Sequence, residues 1–369
     1  MVCPGMNGSD VLGRRLANQQ LVAPRLPNVT ALVAWLGAVQ SQDYTGAKWG
    51  LGLRLPGSTD ASLDRAFDAG EILRTHVLRP TWHFLAPADL RWILQLTGPR
   101  VKAAIRAHGR RLGLEDHALQ RSQAALVRAL EGGRHLTRTE LAACLRTAGL
   151  ASEGQVVGHA LMHAELDGLI CSGSRRGAQV TFALVEERVP RAAQLSRDEA
   201  LVELVKRYFT SHGPATVRDF AWWSGLTASD TRLGISMLDS TLVREKVDGL
   251  EYWFAPTAPQ PEAPGLAYLL PNYDEYTVAY RDRDVYYDAV LGARLPRRSN
   301  VPFDYAVVVD GRVVGTWRRT VNREAISIEA RLMVELDNAA LGALREAAER
   351  YARFLGLSVV MSVVAPPAG

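Results

Sequence analysis

The fold is decided by a stretch near the middle of the chain. Residues 135–150 read HLTRTELAACLRTAGL, and residues 155–184 read QVVGHALMHAELDGLICSGSRRGAQVTFAL. Thr137 and Glu140 have the spacing of a capping box, which predicts a helix that begins there. A second helix follows, and then two short strands joined by a turn with two arginines. A helix-turn-helix followed by a β-ribbon with a basic tip is the order of a winged helix.

The same order of elements recurs on either side of this stretch. In 191–256, Ser196 and Glu199 form another capping-box pair, and a ribbon ends the segment. In 1–86, the pattern predicts helices at 9–20, 28–39 and 60–69 and a ribbon that ends in TWHFLAP. There a glycine-rich insertion, 46–57, separates the later helices. The repeat rests on element order, since sequence identity among the copies is negligible.

The remaining segments have other compositions. We expect 87–134 to be a helical connection and 257–265, which is rich in proline, to be a linker. The segment 266–369 contains an Asp-Gly turn between apolar strands, a strong hairpin signal, and then a helix and a final strand. The sequence thus predicts a mixed α/β (α+β) protein. It would have three tandem winged helices, at 1–86, 135–190 and 191–256, and a β-rich, barrel-like C-terminal domain.

Composition excludes several classes of protein. With 47% apolar and 22% charged residues the 369-residue chain resembles ordinary globular proteins, and no apolar run is long enough for a membrane span. The N-terminus lacks the apolar core of a signal peptide, and three scattered cysteines do not form a disulfide framework. We therefore expect a cytoplasmic protein. No metal-binding spacing occurs among the eight histidines.

Two glutamines are the strongest candidates for a functional site. The apolar stripe of the second helix, Val29, Leu32, Val33 and Leu36, continues to Gln40, and Gln42 follows two residues later. The two amides share one side only if the helix breaks near residue 39 and the chain becomes extended. A glutamine that satisfies backbone groups at a helix end is the simpler alternative.

At these residues the chain resembles a known family. Val39-Gln40-Ser41-Gln42-Asp43, Arg79-Pro80-Thr81-Trp82-His83-Phe84 and the stretch LPNYDEY at 270–276 are similar to motifs of the AlkZ/YcaQ group of winged-helix DNA glycosylases. The resemblance runs from about residue 10 to residue 360. Pro80 departs from it, because a glycine is expected there.

This resemblance implies a function. It implies winged helices around a DNA channel, the excision of alkylated purines and, in the AlkZ branch, the unhooking of interstrand crosslinks made by azinomycin-like antibiotics. The catalytic motif is Gln-x-Gln in the AlkZ branch and Gln-x-Asp in the YcaQ branch. Gln40 and Gln42 match the first, so we expect them to be catalytic. Asp43 stands one position late for the second pattern, and its role stays open.

The chemistry of glutamine supports the same substrate class. A glutamine has no useful pKa and cannot act as a general base. An N7-alkylated guanine is already cationic and leaves without protonation, so the enzyme needs only to hold a water and stabilise an oxocarbenium-like sugar. Amide groups can do both. We therefore predict a monofunctional glycosylase that needs no metal or organic cofactor, in alkylation repair or antibiotic self-resistance.

Further residues are weaker candidates. On a strand, His83 and Thr81 point to one face, and either could contact DNA near the lesion, with a histidine that binds a neighbouring backbone group as the alternative for His83. Arg79 at the first ribbon tip, Arg175 and Arg176 at the second, and Arg318 on a C-terminal strand are candidate DNA contacts, with solvated charges as the alternative. Asp274 and Glu275 are not expected to act together, because neighbours on a strand face opposite sides.

The main competing function is a non-catalytic winged-helix DNA-binding regulator. It would account for the winged helices and the basic turns without any chemistry, but not for an apolar-stripe glutamine followed by a second one. In either case the expected partner is double-stranded DNA. For the enzyme this would be duplex with alkylpurine or crosslink lesions, bound by a monomer with no membrane contact.

Overall fold

The front of the chain folds as helices followed by a small antiparallel sheet. The computed structural model describes residues 6–191, 194–238, 241–256, 265–287 and 305–366. Asn7, Asn28 and Thr59 cap three helices with side-chain oxygens, which is why the helices begin there. The elements are α1 (Gly8–Asn18), α2 (Val29–Leu36), β1 (Val39–Gln40), α3 (Tyr44–Arg54), α4 (Asp60–Ala69), β2 (Leu73–Val77) and β3 (Arg79–Leu85), with sheet order β1-β3-β2.

Most of the glycine-rich insertion 46–57 belongs to a helix, α3, which was not predicted from the sequence. α3 begins after Asp43, whose side chain accepts from the Gly46 amide. A Cβ on Gly50 would lie 2.9 Å from Asp274 Oδ2, and one on Gly52 would lie 2.6 Å from Phe354 Cε2. The glycines therefore allow neighbouring elements to pack closely against α3.

Gly52 and Gly342 make a matched pair that tests this packing. Both lie inside helices, but a Cβ on Gly342 would meet no heavy atom within 4 Å. We expect Gly52→Ala to destabilise the protein by about 1–3 kcal/mol through overpacking. We expect Gly342→Ala to stabilise it by about 0.5–1 kcal/mol, because alanine loses less backbone entropy. Denaturant midpoints measure both changes, and equal shifts in one direction would contradict the packing argument.

The middle of the chain follows the predicted element order. After a 3-10 turn at Pro87–Asp89, two helices form the connection, and two helix-and-ribbon segments follow. The predicted capping boxes at Thr137–Glu140 and Ser196–Glu199 are present. The elements are α5 (Leu90–Arg111), α6 (Asp116–Leu130), β4 (Leu136–Thr137), α7 (Arg138–Thr147), α8 (Gly154–Leu166), β5 (Ile170–Ser172), β6 (Thr181–Leu184), α9 (Val185–Arg188), α10 (Arg197–Ser211), α11 (Val217–Ser224), α12 (Ala228–Met237), β7 (Val243–Val247) and β8 (Leu250–Phe254).

The C-terminal segment is built on a five-stranded sheet of order β13-β12-β11-β10-β9. The predicted hairpin turn is present, with Asp310 and Gly311 both at positive φ. β13 returns parallel to β12 after the long helix α14. The linker prediction falls almost wholly outside the described residues. The elements are β9 (Ala267–Leu269), α13 (Glu275–Val278), β10 (Ala306–Val309), β11 (Arg312–Val321), β12 (Ala325–Leu332), α14 (Asn338–Leu355) and β13 (Ser358–Val364).

One apolar core includes residues from three segments of the chain, 1–86, 191–256 and 266–369. It includes Leu36, Trp223 and Tyr276, which come from three distant parts of the sequence. The segment 135–184 buries most of its own apolar side chains in a second cluster around Leu141 and Leu161. The structure is thus a mixed α/β protein in which three sequence segments meet around the first small sheet. No described helix is long and apolar enough to cross a membrane.

Candidate active site

The first small sheet places three polar side chains in one row. Gln40 on β1 pairs with His83 on β3, and His83 pairs with Thr75 on β2. Residues directly opposite one another in an antiparallel sheet share a face, so these side chains are neighbours. All three are buried. The sheet therefore carries a row of three buried polar side chains, one from each strand.

The helix breaks before residue 39, as the spacing of the two amides requires, and Gln40 lies on the short strand β1, whereas Gln42 lies in the bend that follows. The Ser41 amide donates to the Trp82 carbonyl at 2.7 Å, and Gln42 Oε1 accepts from the Trp82 amide at 3.4 Å. Gln40 is 6% exposed, whereas Gln42 is exposed to solvent. Both glutamines thus follow the edge of β3, with Gln40 inside the protein and Gln42 at the surface.

Arg79 fixes the orientation of the Gln40 amide. Its Nη2 donates to Gln40 Oε1 at 2.8 Å. Because a guanidinium only donates, the contacted atom is the amide oxygen, and the Gln40 nitrogen points elsewhere. The sequence suggested Arg79 as a phosphate contact at a ribbon tip. The structure instead places it partly buried, with its first contact inside the protein.

Glu275 holds the backbone of Gln40. Its Oε1 accepts from the Gln40 amide at 2.7 Å, and its Oε2 accepts from Trp223 Nε1 at 3.0 Å and lies 3.4 Å from His212 Nε2. From the sequence, Asp274 and Glu275 were expected to be neighbours on a strand, with their side chains on opposite faces. That was wrong, because Asp274 is the N-cap of α13 and both carboxylates are buried beside the site.

The charge of Glu275 gives a pH dependence. Burial alone would raise the pKa of this carboxyl, but the nearby His212 ring, the hydrogen bond from the Gln40 amide and the charge of Arg79 outweigh it and lower the pKa below its ordinary value. A lowered pKa stabilises the fold above the ordinary value, and this contribution is lost as the pH falls through the folded-state pKa. We expect Glu275→Gln to lose less stability than the wild type between neutral pH and about pH 3. Denaturant midpoints at several pH values measure this, and parallel curves would contradict it.

His83 is a neutral acceptor inside the protein. Burial, and then the charge of Arg79, lower the pKa of this imidazole well below its ordinary value, so it is uncharged at neutral pH. A neutral ring whose Nδ1 contacts the Thr81 carbonyl at 2.9 Å must donate from Nδ1, which leaves Nε2 as an acceptor. Nε2 has no protein partner among the described residues, and neither do Thr75 Oγ1 and Thr81 Oγ1.

Asp43 has a structural environment. Its Oδ1 accepts from the Gly46 amide at 3.0 Å as the cap of α3, and its Oδ2 accepts from the Tyr305 hydroxyl at 3.2 Å. Both carboxylate oxygens therefore already have donors. The arrangement accounts for an aspartate directly after Gln42 without assigning it a chemical role.

The arginines that were candidates for DNA contacts differ in whether they already form ion pairs within the protein. Arg175 lies 2.9 Å from Asp68 and 2.7 Å from Asp64, and Arg176 lies 2.6 Å from Glu140, so these two are ion-paired within the protein. Arg318 is exposed on β11. Among the described residues we find no cluster of histidine, cysteine and acidic side chains that could hold a metal.

Sequence reasoning missed the supporting residues Glu275, His212 and Trp223. Glu275 belongs to the stretch LPNYDEY, one of the motifs that resemble the family, so the sequence did point to it. The contacts of Glu275 with Gln40 and Trp223 could not be predicted from that motif. His212 and Trp223 had no such signal. They reach the site because α10 and α11 pack against the front of the chain.

Comparison with known proteins identifies the class of this protein. A family model described as DNA glycosylase AlkZ-like matches residues 33–354. The chain belongs to this family of DNA glycosylases. An interstrand DNA cross-link repair glycosylase of Streptomyces sahachiroi is 26% identical over 327 residues, covering 81% of this chain and 84% of the relative. The solved structure of S. sahachiroi DNA glycosylase AlkZ has a similar fold, with a TM-score of 0.80 at 22% identity over 98% of this chain and all of that one.

Proposed function

We propose that this protein is a monofunctional glycosylase that hydrolyses the N-glycosidic bond of cationic N7-alkylguanine and related alkylpurines in duplex DNA. The observation that carries the proposal is the pair Gln40 and Gln42. One amide is oriented inside the protein by Arg79, and the other lies exposed at the adjacent surface. Membership in a DNA glycosylase family gives this pair its context.

In the proposed reaction, water attacks C1′ of the lesion nucleotide and the C1′–N9 bond breaks. The bonding electron pair neutralises the positive charge of the alkylated base, which leaves as a neutral purine, and the water gives up one proton to solvent. Because the leaving group is already activated, no side-chain acid is required. The amides need only position the water and lie beside the developing positive charge on the sugar.

The contacts of Gln40 suggest how the two amides divide this work. Arg79 uses one lone pair of the Gln40 oxygen, so the second lone pair and both N–H groups stay available. The Gln42 oxygen has only a long contact, 3.4 Å, to a backbone amide. We infer that Gln42 accepts a hydrogen bond from the attacking water. Gln40, which lies deeper in the protein, would hydrogen-bond to the same water or to the sugar. His83 Nε2 and Thr81 Oγ1 are further polar atoms of the same sheet.

We further propose that the protein acts on large lesions, including interstrand crosslinks. A crosslinked strand cannot enter a closed base-sized pocket, so such an enzyme needs its reacting groups at an accessible surface. Gln42 meets this condition. Three winged-helix units, 1–86, 135–190 and 191–256, would surround the duplex, and the protein would act as a cytoplasmic monomer in alkylation repair or antibiotic self-resistance. The related S. sahachiroi protein is a cross-link repair glycosylase.

Release of free base tests the proposal. Purified protein is incubated with duplex oligonucleotides that carry one N7-methylguanine, one bulky N7 adduct or one interstrand crosslink. We expect free alkylpurine and an abasic site in the strand, and separated strands from the crosslinked duplex. No release from any of the three, together with protection of one specific DNA sequence, would instead identify a DNA-binding regulator.

A further inference from the structure

We propose that a cleft beside the glutamine pair binds the phosphodiester backbone of the DNA strand next to the lesion. This cavity of about 690 Å³ is lined by α11, α12 and the chain after α13. We call it the arginine cleft and define it by Arg218, Trp222, Arg232, Arg281 and Arg283. The inference rests on the proposed function in naming DNA as the ligand, but its test does not require glycosylase activity.

Trp222 connects the arginine cleft with the glutamine pair. Its ring lies 5.7 Å from the guanidinium carbon of Arg79 and 5.9 Å from those of Arg281 and Arg283. The indole nitrogen donates to the Val278 carbonyl at 3.0 Å, which fixes the ring. Cations over an aromatic face are attracted to it. Trp222 thus lies close to two cleft arginines, Arg281 and Arg283, and to Arg79, which donates to Gln40.

The cleft arginines are not neutralised by the protein. In the described part of the chain, no carboxylate oxygen lies within 4.0 Å of a guanidinium nitrogen of Arg218, Arg232, Arg281 or Arg283. Three acidic residues do line the cleft. Glu251 contacts Trp253 and Arg244, Asp282 caps the Asp284 amide, and Asp284 is exposed. The cleft therefore keeps positive charges that are free to bind an anion.

Electrostatics within the cluster favour an anionic ligand. Burial lowers the pKa of Arg79, and the positive charge of Arg283 lowers it further. Burial likewise lowers the pKa of Arg283 and outweighs the opposing effects of Tyr286, Tyr287 and Asp219, and the charge of Arg281 adds to the lowering. These guanidiniums have lost water and repel one another, so a phosphate between them would relieve both costs. Arginine also matches phosphate geometry well, because it offers paired N–H donors.

The position of the cleft decides between possible paths for the DNA. Arg175 and Arg176 in the ribbon of 135–190 are already paired with Asp64, Asp68 and Glu140, so phosphate would have to displace carboxylates there. In the cleft no displacement is required. Arg79 lies between the cleft and Gln40, since it contacts both Trp222 and the Gln40 amide. A DNA backbone bound in the cleft would therefore bring the neighbouring nucleotide to the two amides.

The salt dependence of binding to unmodified duplex tests the proposal. The cleft variant is Arg218→Ala with Arg281→Ala, and the matched control is Arg312→Ala with Arg345→Ala, which removes two exposed arginines from the C-terminal segment. We expect the slope of log affinity against log salt to fall by about two units for the cleft variant only, with affinity lower by roughly tenfold or more near 0.1 M salt. Equal behaviour of the two double variants, with unchanged denaturant midpoints, would overturn the proposal.

Three further measurements keep the outcomes distinct. Arg281→Glu should weaken duplex binding more than Arg281→Ala, since it adds a repulsive charge, and equal binding by both would count against the cleft. At saturating protein, single-turnover base release by the control variant Arg312→Ala with Arg345→Ala should match the wild type within about twofold, because neither arginine lines the cleft, and an equal loss in both double variants would count against the cleft. If the wild type binds duplex with this salt dependence but releases no base, the cleft stands and the proposed function fails. Inorganic phosphate at constant ionic strength should compete with duplex for the wild type more strongly than for the cleft variant, because both ligands would use the cleft arginines, and equal competition would count against the proposal.

Discussion

We expect Gln42→Ala to lower the single-turnover rate of N7-methylguanine release by about 10²–10³-fold, the loss typical when one polar group that acts in the transition state is removed. The effect should fall on the rate at saturating protein and not on duplex affinity, because Gln42 is proposed to hold the water. Stability should change by less than about 0.5 kcal/mol, since the side chain is exposed. Chromatography of the released base measures the rate.

Asp43→Asn is the matched control for Gln42→Ala. Asparagine caps helices as well as aspartate does, so α3 should stay intact and the rate should change little. The opposite pattern, with full activity in Gln42→Ala and none in Asp43→Asn, would make Asp43 the base and refute the role of the glutamine pair. Gln40→Ala is less clean, because it also deprives the Arg79 guanidinium of its acceptor.

Asp274→Ala should have the largest effect on stability, a loss of about 3–5 kcal/mol. Asp274 receives two hydrogen bonds of 2.8 Å from Arg54, and the side chains are 1% and 2% exposed. Removing the carboxylate would leave a buried guanidinium without its counter-charge. The Asp274 side chain also caps α13 and accepts from the Tyr276 amide, and α13 carries Glu275. Denaturant unfolding measures the loss.

The double variant Arg54→Leu with Asp274→Ala separates charge from packing. If an uncompensated buried charge causes most of the loss, the double variant should be more stable than Asp274→Ala alone. A loss below about 1 kcal/mol in Asp274→Ala would show instead that Arg54 is satisfied by its contacts with the Gln19 and Gly50 carbonyls, and would contradict the prediction.

The elements of the fold followed from local sequence signals. The capping boxes at Thr137, Ser196 and Thr227 begin helices, and the Asp310-Gly311 turn closes a hairpin, because these signals act within a few residues. No helix was predicted at 44–54, because glycines weaken a helix in isolation. Close contact of α3 with Asp274 and Phe354 makes glycine suitable there, and those residues are distant in sequence.

In the candidate site, too, local features could be predicted from the sequence, and contacts between distant residues could not. The end of the helix before Gln40 was expected from the sequence, and the structure has Gln40 on β1 and Gln42 in the bend that follows. The environment of Gln40 did not follow, because Arg79 and Glu275 contact it only when β3 and α13 lie against β1.

The sequence alone determined where most helices begin and that the second helix ends before Gln40, because caps, turns and side-chain periodicity act over a few bonds. The tertiary structure alone decided which charges are neutralised. Arg175 and Arg176 pair with carboxylates, Arg79 contacts Gln40, and the arginines of the cleft have no carboxylate within 4.0 Å in the described part of the chain. Electrostatic interactions depend on distance and on burial, and both are set only when segments far apart in sequence pack together.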